Sequence, residues 1–216
     1  MIEGVAGLAL RHNRGNPHCQ KRNGCKSLES HSPSLPRARY AGGMESSLAS
    51  AFLDFSARKL EQYAARIEDC LRRLSEDQIW QRGSENQNAV GNLVLHLCGN
   101  LRQWIGHGAA GMPDVRDRDG EFAARGGLSR EELASRLREV VTLVTGILRG
   151  LPHERLLETT VLQGYQVTVL EAIYHAVEHF SMHTGQIIYA TKAMTGEDLG
   201  YYRHLSNRKL QGDPTP

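Results

Sequence analysis

The chain has 216 residues, enough for one domain with a sizeable core and too few for two full ones, so a single binding or active site is the default. Its formal charge of +2 divides unevenly: residues 1–43 carry seven Lys/Arg against Glu3 and Glu29, which leaves 19 basic and 22 acidic side chains on the remainder. That mildly acidic body argues against nucleic acid as a main partner, and no apolar run approaches the roughly 20 residues of a membrane span.

Residues 1–43 have few large apolar side chains, several Gly, Pro and Ser, and no sustained period of 2 or 3.6, which predicts a disordered basic extension. The opening MIEGVAGLAL does not read as a signal peptide, because Glu3 stands where a basic flank belongs and the apolar stretch is short. Helical pattern begins directly after Met44, so Met44 is the expected natural initiator and 1–43 an extension that is not native. The expected body spans 44–205 and is followed by a flexible tail, 206–216. Cys19 and Cys25 lie in the extension, while Cys70 and Cys98 fall inside helical patterns; none has disulfide-framework or strong zinc spacing, which predicts reduced thiols in the cytoplasm.

Four blocks of helical periodicity follow. Leu53, Ala57, Leu60, Ala64, Ile67, Leu71 and Leu74 step by three or four and predict a helix over about 46–74. Val90, Leu93, Val94, Leu97, Leu101, Trp104 and Ile105 predict a second, from about Asn88 to His107. The third starts at a capping box, Ser129 to Glu132, inside a Leu128–Leu133 staple, and buries Leu133, Leu137, Val140, Val141, Val144 and Leu148. The fourth starts at a second capping box, Thr168 to Glu171, stops at Thr195–Gly196, and has Leu170, Ile173, Val177, Phe180 and Ile187 as its stripe. Strand signal is confined to TTVLQGYQV. The expected fold class is all-α: a four-helix bundle with a long crossover connection between its second and third helices.

HAVEHFSMHTGQII, from His175 to Ile188, puts three histidines four residues apart. On a helical wheel His183 lies roughly 85° from the centre of the apolar stripe, His179 roughly 125° and His175 roughly 165°. His183 therefore borders the core and His175 faces mostly outward. Histidines at i and i+4 can converge on one ion, whereas His175 and His183 are about 12 Å apart along the axis and cannot. The wheel prefers His179 with His183. On the second helix His96 occupies a matching edge, with Asn100 one turn on and nearer the core. Together the three make a candidate three-nitrogen metal site with positions left for water or substrate. Glu178, turned away on the other side, reads as a solvated charge.

HLCGNLRQW around His96, HFSMHTGQII around His183, RDRDGEF between them and TGEDLGYYRHL after them resemble the DinB-like superfamily, in one of its domain-of-unknown-function branches. The likeness covers about residues 45–205. It implies a four-helix bundle in which one His of the second helix and an HxxxH pair of the fourth bind a divalent metal, zinc or nickel being typical, with iron or manganese as alternatives. Carried over by residue, the implied ligands are His96, His179 and His183. Gln186 belongs to the HxGQ signature and, with Asn100, is a candidate for orienting a ligand or touching substrate.

The expected function is that of a metal-dependent enzyme with a small-molecule substrate, acting by hydrolysis or by thiol transfer. The resemblance adds a low-molecular-weight thiol as an expected cosubstrate. The alternative is a non-catalytic, stress-related bundle in which the ion staples two helices. Further expectations are a homodimer and no nucleic-acid or membrane partner.

Overall fold

The four apolar stripes become four long helices in the computed structural model, which describes residues 41–206. Most of the expected N-terminal extension and the C-terminal tail lie outside the described residues. Helix α1 (Ala41–Arg73) is followed by a short α2 (Glu76–Trp80) and by α3 (Val90–Leu101). Helix α3 runs on through a π-helical turn, Arg102–His107, and a last turn, Gly108–Ala110. Next come α4 (Arg118–Ala123), α5 (Arg130–Gly150), a 3-10 turn (His153–Leu157), strands β1 (Thr159–Leu162) and β2 (Tyr165–Thr168), then α6 (Val169–Thr195) and α7 (Arg203–Ser206).

Helix α1 packs against α5 and α6, and α3 packs against the same two, so α1 and α3 lie diagonally across the bundle. The long connection between the second and third bundle helices, 111–129, runs along α3 and carries α4, which packs on it. The expected stripes of α1, α3 and α5 are buried throughout. In α6 the core face is Val169, Ala172, Ile173, Ala176, Phe180, Thr184, Ile187 and Thr191. Leu170, expected in that stripe, is exposed instead, because the small residues Ala172 and Ala176 centre the core away from it. The buried hydroxyls of Thr184 and Thr191 donate to the Phe180 and Ile187 carbonyls at 2.7 and 2.9 Å, so they enter the core already paired.

Local chemistry sets the ends. Ser129 and Thr168 cap α5 and α6 through full capping boxes, and α6 stops where Gly196 takes the left-handed conformation at φ 70°. A third box, Ser75 with Gln78, starts α2. The TTVLQGYQV signal forms an antiparallel hairpin with Leu162 opposite Tyr165 and a Gln163–Gly164 turn, both at positive φ as a type I′ turn requires. After α6 the chain returns to α1, where the Tyr201 hydroxyl donates to Asp69 at 3.0 Å and the Arg66 guanidinium lies over the Tyr201 ring.

Replacing either N-cap, Ser129→Ala or Thr168→Ala, is expected to cost about 1 kcal/mol of stability in urea unfolding, because each leaves helix-start amides unsatisfied. Unchanged midpoints for both would show that the boxes are incidental.

Candidate metal centre

His96 is presented by α3, ahead of the π-helical turn, and His179 and His183 by successive turns of α6. The bundle brings the three together. The Nε2 atoms of His96 and His179 are 3.1 Å apart, as are those of His183 and His179, and one ligand atom from each residue lies within 4.8 Å of the others. Nitrogens held by a common ion at about 2.1 Å are about 3.0 to 3.4 Å apart, so the spacing suits a divalent metal.

The donor chemistry points the same way. Glu121 Oε2 accepts from His96 Nδ1 at 2.9 Å, and Gln186 Oε1 accepts from His183 Nδ1 at 2.6 Å. Arg116 Nη2 also lies 3.0 Å from His96 Nδ1, but that guanidinium is already matched to the Glu121 carboxylate, so the tautomer that suits both oxygens puts the proton of each ring on Nδ1 and turns an Nε2 lone pair into the shared space. His179 offers at most one proton there, and its Nδ1 is buried without a hydrogen-bond partner. Burial first, then the charges of His183, His96, His175 and Arg116, depress the His179 pKa to about 3. Burial also lowers that of His183, with the Gln186 hydrogen bond pulling upward against it and the charge of His96 adding to the decrease. His179 and His183 are thereby held as neutral imidazoles, the form that binds a metal.

Sequence reasoning assigned no role to Glu121. It sits on α4, 25 residues after His96, in a helix too short for a periodic signal. Its carboxylate is buried, and Arg116 grips it through two hydrogen bonds of 2.9 Å, Nε to Oε1 and Nη2 to Oε2. Burial would raise the Glu121 pKa, but the hydrogen bonds from Arg116 and His96 outweigh it and hold the carboxyl below its usual range. Gly99 makes this possible: a Cβ there would collide with the Glu121 carboxylate. The available signal was a glycine one turn beyond His96, in mid-helix where glycine costs about 1 kcal/mol relative to alanine.

The base of α4 is fixed independently. Asn92 on α3 donates to the Glu121 and Ala124 carbonyls, each at 2.9 Å, and Arg82 donates to Asn92 Oδ1 at 2.7 Å and to the Phe122 carbonyl at 2.9 Å. The Phe122 ring rests 4.6 Å from that of His96.

Asn100 is buried with its Oδ1 unpartnered, and Glu178 is exposed. His175, expected to face mostly outward, is half-buried with its ring 4.0 Å from that of Trp104. The hairpin and Trp104 cover that side of α6: a cavity of about 590 Å³ there is lined by Trp104, Gln163, Tyr165, Gln166, Val167, Glu171 and His175. His175 belongs to this wall and stands apart from the three converging histidines. Cys70 and Cys98 are free and buried; burial raises both thiols, Cys98 to about 12. No helix among the described residues is long and apolar enough to cross a membrane.

The protein is thus a four-helix bundle in which two helices bring three histidines to one point. Residues 47–207 match the family described as protein of unknown function DUF1572, and the chain belongs to that family. Two solved structures share the fold. A conserved protein from Enterococcus faecalis is 18% identical, with a TM-score of 0.58 over 66% of this chain and 96% of its own. A DinB-like protein from Bacillus subtilis is 17% identical, with a TM-score of 0.52 over 67% of this chain and 93% of its own. No curated protein matches.

The depressed histidine pKa values predict an acid-sensitive fold. An unfolded imidazole takes its proton near pH 6.5, whereas folded His179 resists until about 3, so between those values the unfolded chain binds more protons. The contribution to stability is full above 6.5 and is lost as pH falls toward 3. In chelator-treated protein the urea midpoint is expected to drop between about pH 7.5 and about pH 4.5, and to drop less in His179→Gln. An equal drop in both proteins would exclude His179 as a source.

Proposed function

We propose that the chain is a divalent-metal-dependent enzyme in which His96, His179 and His183 hold the ion, acting on a small molecule by hydrolysis or by transfer of a low-molecular-weight thiol. The observation that carries this reading is the convergence of the Nε2 atoms with the Nδ1 atoms of His96 and His183 already engaged. Three imidazoles favour zinc or nickel over the oxygen-seeking manganese. Bound there, such an ion supplies Lewis acidity that brings the pKa of water or a thiol toward neutrality.

The protein's own groups divide the remaining work. Glu121 and Gln186 hold the rings of His96 and His183 in orientation. Arg116 offsets the Glu121 charge, so the surroundings do not cancel the electrophilicity of an ion held by neutral ligands. The described cysteines are buried and held protonated, which makes them poor nucleophiles, so a thiol reaction takes its sulfur from a cosubstrate.

Elemental analysis of the purified protein tests the site. About one ion per chain is expected in the wild type, none in His96→Ala, His179→Ala or His183→Ala, and full content in His175→Ala. Full occupancy in the His183 variant would refute the assignment. Reloading the metal-free protein should restore turnover on an ester panel or on electrophiles offered with small thiols; a metal-loaded protein silent on both favours an ion that only joins α3 to α6.

Gly99→Ala probes the support. It improves helix propensity yet should displace Glu121, so metal affinity is expected to fall about 10- to 100-fold, as in Glu121→Gln. Competition with a chromogenic chelator measures this, and wild-type affinity in both variants would remove Glu121 from the site.

A further inference from the structure

Helix α6 has an outward face that no part of the proposed metal chemistry uses. Helix α5 turns no large apolar side chain to solvent, but α6 exposes Leu170, Tyr174 at 61%, Met182 at 55% and Tyr189 at 77%. At about 100° per residue these four, with Glu178 and Gly185, fall within a sector of about 120° and a length of about 28 Å. The sector points away from the core residues Ile173, Phe180 and Ile187 and is offset from His179 and His183. A row of exposed tyrosine, methionine and leucine side chains along one face of a long helix, broken only by Glu178 and Gly185, is the kind of surface that marks a protein contact.

The order of residues along the stripe says which partner fits. From its N-terminal end it reads Glu171, Tyr174, Glu178, Met182, Gly185, Tyr189, Lys192. Laid antiparallel against itself about a two-fold axis between Ser181 and Met182, the pattern is self-complementary. Glu171 comes opposite Lys192 of the second copy, Tyr174 opposite Tyr189, Glu178 opposite Gly185, and Met182 beside its own counterpart. A parallel pairing would instead set Glu171 against Glu171 and Lys192 against Lys192.

Gly185 supplies the room that Glu178 needs, since the space where its Cβ would stand is open. Helical side chains lean toward their own N-terminus, which carries the Tyr189 hydroxyl of the second copy over its Gly185 turn and within reach of the Glu178 carboxylate. The one acidic group in mid-stripe thereby gains a donor. We propose that this face of α6 is a homodimer interface, pairing α6 antiparallel with α6 of a second copy through an isologous contact.

The test uses the full chain with Cys19 and Cys25 replaced by serine. Light scattering at micromolar concentration is expected to give twice the chain mass. Under mild oxidation Met182→Cys should form a cross-linked dimer. Leu170→Cys should not, because its two copies would stand about 35 Å apart along the helices. Met182→Glu and Tyr189→Glu should each weaken association at least about tenfold, with helical content and metal content unchanged because neither side chain enters the core. A monomer that Met182→Cys fails to cross-link overturns the proposal. So does cross-linking through Leu170→Cys as efficient as through Met182→Cys, or a dimer indifferent to both glutamates.

Discussion

The described site depends on one buried carboxylate. Glu121 lies in the wall between α3 and α4, where an ionised group is expensive unless its oxygens are matched. Arg116 occupies both oxygens in the paired geometry that suits a guanidinium, and His96 adds a third donor. The carboxylate returns the favour by fixing which nitrogen of His96 carries the proton. Without it the imidazole could present either nitrogen, and the meeting of three Nε2 atoms would be one arrangement among several. The missing side chain at Gly99 belongs to the same interaction, since it lets the carboxylate lie against α3.

That interaction is tied into the rest of the bundle end. Arg116 donates to Gln103 Oε1 at 2.9 Å, and the hairpin-tip residue Gln163 donates to the same oxygen at 2.7 Å. Gln103 in turn donates to Asp114 at 2.8 Å. Gln103 lies in the π-helical turn of α3, where the changed helical register permits a buried amide to meet both the 111–129 connection and the hairpin. Gln163 adopts φ 52°, a conformation that costs a non-glycine residue energy and is kept because the turn and this hydrogen bond require it. The hairpin and α4, far apart in sequence, are thus parts of one polar network behind His96.

How much of this was legible in the sequence follows from the range of each interaction. The capping boxes of α5 and α6, the Gly196 stop and the buried stripes of α1, α3 and α5 are local or periodic, and they read directly. The three histidines were legible because two share a helix and the third sits at a matching edge, with the family resemblance joining them. Glu121 and Arg116 were not: α4 has six residues, less than two turns, and its place depends on Asn92 and Arg82 reaching its carbonyls. His175 was misplaced for a related reason. A wheel gives a direction from the core, and it cannot know that Trp104 and the hairpin occupy that direction.

Helix α6 shows why a two-way division into buried and exposed faces was too coarse. Around its circumference it carries a core face of small and hydroxylated residues, a face of histidines turned toward α3, and an outer face of tyrosines and methionine. The small residues of the first face seat the helix deep in the bundle, where burial keeps His179 and His183 neutral. That depth has a structural consequence for Leu170: once Ala172 and Ala176 define the inward direction, a leucine two positions before Ala172 joins the outer stripe. The composition that prepares the histidine face thus also leaves apolar side chains on the outer one, so one choice of core residues sets the chemistry of one face and the exposure of the next.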